Sequence, residues 1–494
     1  MAIQDMFANI KHPDRLFIDG KWAVPSGAKF IDVANCATEE TFLRVAEAEE
    51  EDVNRAVEAA RKAFDAGEWP RLSHAERAAY LRAIGRELDA RAPDLARIWS
   101  SESGVIHSVA LVRSAALGRI FDRYAGFADS FQFEEPREPA PNTSRVGLIV
   151  REPVGVVAAI VPWNAPASMI AYKTAPALLA GCTVVVKPSP EAVGAAYVMS
   201  EICEKVGLPP GVFNMISADR EVSELLVRHP GVDKVTFTGS TEAGRRIASI
   251  CGERIARCTL ELGGKSAAVI LDDYDVGQAA QTIAGAAPFL SGQVCSSLTR
   301  IIVTRERHNA FVDALSAAFG AVKVGDPFDA ASQMGPLAME RQRDRVENHI
   351  QKGKAEGAVL ATGGGRPAHL NRGYYIEPTV FGNVDNNSTI AREEIFGPVL
   401  SVIPADNEAQ AIEIANDTIY GLNASVFTND VDRAYATARE LRSGTVGHNA
   451  FRTDFNIAFG GFKQSGIGRE GGIEGLWPFL ETKTVLLDSE PSHW

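Results

Sequence analysis

The chain has 494 residues, 46% hydrophobic and 23% charged, with a formal charge of −13. That length exceeds a single core and implies roughly three domains, while the acidic balance excludes nucleic acid as a default partner, because a phosphate backbone needs a basic surface. No run approaches the ~18 consecutive apolar residues of a membrane span, the early polar residues Asp5, Lys11, His12 and Asp14 argue against a secretory leader, and six scattered cysteines suit a reducing, cytoplasmic setting.

Leu16 to Trp22 alternates around Asp19-Gly20, a hairpin signal. Val53, Ala56, Val57, Ala60 and Phe64 recur at helical spacing and predict a helix over Glu51 to Asp65. A capping box at Ser73 and Glu76 opens a second over Ser73 to Ala90, and a third is expected from Ser108 to Phe131. Glu134 to Thr143, rich in Pro and Glu, reads as a boundary or a projecting strand pair. From Val154 the pattern becomes strand–helix alternation: strands at Val154 to Val161, Thr183 to Lys187, Val212 to Ile216 and Lys234 to Phe237, with helices near Ala165 to Leu179, Ala192 to Val206 and from Thr241. Short apolar runs separated by helices predict a buried parallel sheet. A second series follows, with strands at Arg300 to Val303, Val399 to Ile403, Ala424 to Phe427 and Gly444 to His448. The fold class is α/β, in two units.

Candidate chemistry gathers in a few strings. Cys295 lies in Ser291-Gly292-Gln293-Val294-Cys295-Ser296, and Glu261 opens Glu261-Leu262-Gly263-Gly264-Lys265, 34 residues upstream. An ordinary cysteine, with a pKa of about 8.5, is a few per cent thiolate at neutral pH. A carboxylate nearby would serve as base for the thiol, or for a water attacking a thioester formed on it. A free cysteine is more often a small buried hydrophobe, and Cys36, Cys182, Cys203, Cys251 and Cys258 are read that way. Their spacing and lack of histidine partners give no metal site.

Phe237-Thr238-Gly239-Ser240-Thr241 stands between a strand and a helix, where free N–H groups and the dipole attract phosphate. It is not Gly-x-Gly-x-x-Gly, and taken alone a plain capping motif explains it better. Val161-Pro162-Trp163-Asn164 follows a strand, so the Asn164 amide is a candidate oxyanion donor or a simple turn residue. Lys187-Pro188-Ser189-Pro190 ends another strand; its lysine either reaches a cofactor or is solvated. Glu393-Glu394-Ile395-Phe396-Gly397-Pro398 offers a carboxylate beside an aromatic ring. Gly460-Gly461-Phe462-Lys463-Gln464-Ser465-Gly466, followed by Arg469-Glu470, demands close backbone approach.

Taken in this order and over this length, from Leu16 through Trp22 to Lys483-Thr484-Val485, the strings resemble the aldehyde dehydrogenase superfamily, in its NAD(P)-dependent, non-acylating branch. The resemblance implies an aldehyde dehydrogenase-like fold. Its parts would be a Rossmann-like cofactor domain (1–132, 149–261 and 456–478), a catalytic domain (262–455) and a β oligomerisation arm (133–148 and 479–494) assembling homodimers or homotetramers. It implies that Cys295 attacks an aldehyde, that the Asn164 amide and the Cys295 N–H hold the oxyanion, that hydride passes to the nicotinamide, and that Glu261 activates water to hydrolyse the thioester. Val161, Trp163, Lys187, Gly239, Ser240, Leu262, Glu394 and Phe396 then match cofactor positions. NAD is the expected cofactor. NADP stays open, because Pro190 stands where a ribose-binding glutamate is usual and Glu191 comes one step late.

Ala165 replaces a usual aromatic residue and should widen the pocket, whose expected lining is Ala165, Tyr172, Phe289, Val294, Ser296 and Phe459. Ala458 replaces a usual proline. An apolar lining discriminates modestly and suggests a bulky aromatic, terpenoid or long-chain aldehyde. The alternatives are a semialdehyde paired with Arg452, a CoA-acylating enzyme, which the presence of Glu261 disfavours, and a non-enzymatic protein retaining the fold.

Overall fold

The computed structural model describes residues 10–492; Asp5, used above, lies outside them. Two large sheets dominate. The first has the order Gly466–Ile467, Arg257–Glu261, Lys234–Thr238, Val156–Ile160, Thr183–Lys187, Phe213–Met215, Leu16–Ile18, Lys21–Ala23. Its inner strands run parallel and its two margins antiparallel. Val156–Ile160 and Thr183–Lys187 are buried along their whole length, because helices cover both faces, and this is why they read as unbroken apolar runs. The second sheet has the order Val359–Thr362, Thr379–Gly382, Val399–Ala405, Leu298–Thr304, Ser266–Ile270, Asn423–Phe427, Thr445–His448, and only its first strand is antiparallel.

The chain passes from the first sheet to the second through Leu262–Lys265, directly after Glu261. Cys295 precedes Leu298–Thr304, the parallel neighbour of Ser266–Ile270. The topology thus sets both sequence motifs where the two sheets adjoin. A third sheet joins Leu480–Leu487 and Glu134–Arg137 to the two sides of Val146–Pro153, so the Pro/Glu-rich stretch begins with a paired strand.

Several expectations change. The helix expected from Ser108 to Phe131 is two helices, His107–Ser114 and Gly118–Ser130. At Gly118 the backbone presses on the Gly85 carbonyl and the Asp89 carboxylate with no room for a Cβ, so the chain re-aims at Ala115–Leu117 to make that contact. The strand placed from Val154 begins at Val156, after Gly155 turns the chain at φ 127°, and the preceding Val146–Pro153 is a separate strand. A helix at Ala92–Ser103 was not foreseen, although Pro93 in its first turn and left-handed Gly104 at its end are ordinary start and stop signals. The capping box forms: Ser73 accepts from the Glu76 N–H, and the Glu76 carboxylate accepts from the Ser73 N–H. Among the described residues no helix is long and apolar enough to cross a membrane.

Candidate active site

Cys295 is partly exposed and follows a sharply wound loop in which Leu290, Ser291 and Gly292 all take left-handed backbone, at φ 50°, 54° and 75°. Non-glycine residues in that region cost roughly 1–3 kcal/mol each and persist where surroundings hold them. Here the Ser291 hydroxyl donates to the Gly335 and Pro336 carbonyls at 2.8 and 3.1 Å. Gln293, fully buried, donates from Nε2 to the Leu290 carbonyl at 2.9 Å and accepts from the Ala338 N–H at 2.9 Å. Asn164 Nδ2 donates to the Gln293 carbonyl at 2.8 Å, and the Trp99 indole N–H donates to the Asn164 carbonyl at 2.7 Å. Asn164 is therefore held beside the cysteine loop from both ends, with the second amide hydrogen left for another acceptor.

The Gly263-Gly264 pair explains how three remote groups meet. A side chain at Gly264 would strike the Cys295 carbonyl, and one at Gly263 would strike the Glu394 carboxylate. Gly264 N–H donates to Glu394 Oε1 at 3.1 Å. Glu261 is 3% exposed, lies against Gly460, and neither of its carboxylate oxygens has a hydrogen-bond partner. Burial, then the negative charge of Glu470, pushes its pKa well above the ordinary carboxylate range, while Lys173 and Arg469 oppose this. Desolvation raises the Cys295 thiol pKa, and the charges of Glu394 and Glu261 raise it further.

Most of the proposed cofactor positions lie at strand ends and at one helix start. Ser240 caps the helix Thr241–Arg254, accepting from the Ala243 N–H at 3.2 Å. Gly239 N–H donates to the Glu261 carbonyl at 3.0 Å, Leu262 N–H to the Ser465 carbonyl at 2.9 Å, and Val161 N–H to the Lys187 carbonyl at 3.1 Å. Lys187 is buried at its strand end; desolvation lowers it to about 8 against the charges of Glu191 and Asp219, and its Nζ makes one long bond of 3.4 Å to the Ala218 carbonyl. Glu394 is pushed up to about 7 by desolvation, which Gly264 N–H, Arg345 and Lys265 counter. The Trp163 and Phe396 rings meet edge to face, with centroids 5.2 Å apart, and Phe396 holds left-handed backbone at φ 61°.

The six expected lining residues separate into groups. Phe289 and Val294 border a small open cleft with Ile283, Ala287, Leu298 and Phe451. Ala165, Phe289 and Val294 pack on a small apolar cluster that includes Trp99 and Leu290. Tyr172 and Phe459 are linked by Phe455, which stacks between them at 4.5 and 4.1 Å. Ser296 is buried, and its carbonyl accepts from Asn423 Nδ2 at 3.1 Å. Arg452 is exposed and donates to the His448 carbonyl at 3.1 Å.

Sequence reasoning missed Phe455, Gln293 and the buried ion pair of Lys173 with Glu470. Lys173 also donates to the Thr236 hydroxyl at 3.2 Å. Phe455 was visible as an aromatic residue in the loop before the glycine run. The ion pair joins positions 297 apart in sequence, and no local pattern announces it.

Comparison with known proteins adds direct similarity. A profile of the aldehyde dehydrogenase family matches residues 22–485. A geranial dehydrogenase of Castellaniella defragrans is 44% identical, across 96% of this chain and 98% of that protein. A 3-succinoylsemialdehyde-pyridine dehydrogenase of a Pseudomonas species is 42% identical, across 95% and 98%. An aldehyde dehydrogenase of Mycobacterium tuberculosis, solved in complex with NAD+, superposes with a TM-score of 0.93 at 44% identity, across 96% of this chain and 98% of that one.

Proposed function

The chain belongs to the aldehyde dehydrogenase family, and on that premise we propose that it oxidises a bulky apolar aldehyde to the carboxylic acid with NAD+, using Cys295, Asn164 and Glu261. The observation that carries the roles is the convergence on the Cys295 loop: the Asn164 amide bonded beside it, Gly264 against its carbonyl, and a buried, unpartnered Glu261. The Cys295 thiol gives its proton to solvent as its sulfur attacks the aldehyde carbon, and the resulting oxyanion accepts from the free Asn164 amide hydrogen and the Cys295 N–H. Bound NAD+ supplies the hydride acceptor. Loss of hydride from the carbon leaves a thioester on Cys295. Glu261 takes a proton from water as its oxygen attacks the acyl carbon, which frees the acid and returns the thiolate.

The residues fit the dinucleotide. The helix N-terminus at Ser240 suits a pyrophosphate, Lys187 has spare donors at a strand end, and the Glu394 carboxylate would accept from ribose hydroxyls. Glu191 stands close enough to Lys187 to act on its charge, is 16% exposed, and pairs with Arg341. Its carboxylate would repel a ribose phosphate, and this makes NAD the preferred cofactor despite Pro190. Glu191→Gln is expected to raise the NADP+/NAD+ ratio of kcat/KM about tenfold, as removal of one repulsive charge should. Parallel initial rates with the two cofactors measure it, and an unchanged ratio removes Glu191 from the selection.

Support for the apolar substrate comes from the Tyr172–Phe455–Phe459 stack, the Phe289–Val294 cleft, and Arg452 being turned to a backbone carbonyl. Similarity to the geranial dehydrogenase agrees with it. Phe455→Ala is expected to raise KM for aromatic and terpenoid aldehydes about tenfold, through lost aromatic contact and pocket shape, with little change for acetaldehyde. A substrate panel decides: turnover confined to succinate- or glutarate-type semialdehydes rejects the apolar reading. We place self-association as a dimer or tetramer on the three-stranded sheet, which light scattering of variants in Leu480–Leu487 would test.

A further inference from the structure

Cys251 lies near the end of the helix Thr241–Arg254, and Cys258 lies at the start of the strand Arg257–Glu261. Between them Ile255 turns the chain through left-handed backbone at φ 57°, and Ala256 N–H donates to the Cys251 carbonyl at 2.9 Å. This tight return sets the two cysteines on neighbouring elements in one apolar cluster. Side chains alternate along a strand, so Cys258 shares the face of Leu260, and both pack in the apolar cluster that contains Cys251. Cys251 is buried, while Cys258 is partly exposed and open to a small solute. Neither thiol has a part in the proposed oxidation of aldehyde, and no metal-binding group of side chains includes them among the described residues.

We propose that Cys251 and Cys258 are a reversible oxidation site, closing to a disulfide when the protein meets a peroxide. The two thiols are already unequal. The neighbouring Cys251 thiol and the charge of Lys234 lower Cys258 against the effect of burial, whereas Cys258 and desolvation push Cys251 upward. Cys258 is thus the thiolate that attacks first. Its sulfur takes one peroxide oxygen to become a sulfenic acid, and the other oxygen leaves as water after protonation. The Cys251 sulfur then displaces the sulfenic hydroxyl, forming the S–S bond, and that hydroxyl leaves with the Cys251 proton as the second water. Two thiols are oxidised and one peroxide is reduced. The new bond would tie the helix that begins beside Ser240 to the strand that ends at Glu261.

The test uses the full chain carrying Cys295→Ser, so that the thiol of the proposed aldehyde chemistry does not contribute. Treatment with stoichiometric hydrogen peroxide should lower the five remaining thiols to three, and digestion without reductant should yield a peptide joining Cys251 to Cys258. Dithiothreitol should restore all five. In a second variant that also carries Cys251→Ser, Cys258 should instead be trapped by dimedone as sulfenic acid, with no cross-link. The proposal is overturned if both cysteines remain open to alkylation after peroxide, or if Cys258 of the intact pair passes to sulfinic acid without forming the linked peptide.

Discussion

Cys295→Ala is expected to lose NADH formation by ~10⁴-fold or more, the loss found when a covalent nucleophile is removed from a group that acts as a unit. The fold should survive, because the truncated atom is a single sulfur at a partly exposed position, and surface-like changes usually stay within about 0.5 kcal/mol. NAD+ binding should survive as well, since Lys187, Ser240 and Glu394 are untouched. Quenching of tryptophan fluorescence by added NAD+ reads this, since Trp163, one of the six tryptophans, meets Phe396 among the proposed cofactor residues. A variant that turns over undiminished would remove Cys295 from the mechanism. The same residue gives a pH test in the wild type. Without cofactor its thiol is raised by desolvation and by Glu394 and Glu261, so alkylation by iodoacetamide should be slow at neutral pH and rise toward alkaline pH, where the thiolate finally forms.

What the sequence reveals of this site depends on whether a residue's neighbours in the chain are also its neighbours in space. The glycines of Gly263-Gly264 are legible as a demand for close approach, and the structure supplies the two things approached, the Cys295 carbonyl and Glu394. Strands such as Thr183–Lys187 declare themselves because both faces are buried and the whole run is apolar. The break at Ala115–Leu117 is different: it serves a contact of Gly118 with Gly85 and Asp89, and nothing local requires it. Gln293 likewise reads as one polar residue in a motif, yet its amide ties the cysteine loop to Leu290 and Ala338. The Lys173–Glu470 pair is the extreme case. Two charges leave water only because each finds the other across most of the chain, so helical or strand periodicity carries no trace of their pairing.

That pair bears on the last expectation, for Glu261→Gln. The amide has nearly the size of the carboxylate and replaces a group with no hydrogen-bond partner, so attack by Cys295 and hydride loss should continue while hydrolysis of the thioester slows. The loss of a general base slows a step by about 10²–10⁴-fold. Rapid mixing should then give one NADH per active site followed by a stall, with the acyl group found on Cys295 by intact mass. A proportionate loss of the burst itself would move Glu261 from hydrolysis to activation of the thiol. In the proposed mechanism the hydrolytic step needs Glu261 ionised. Burial and then the charge of Glu470 raise its pKa well above the ordinary value of about 4.3, so the rate should fall as pH drops through that raised value. Glu470→Gln removes the like charge while Lys173 keeps its attraction, and the acid limb should move to lower pH. The same change leaves Lys173 buried without its partner and should cost about 3–5 kcal/mol of stability, which a denaturant titration reads separately from the pH profile. A purely structural role for Glu470 would give the second effect without the first.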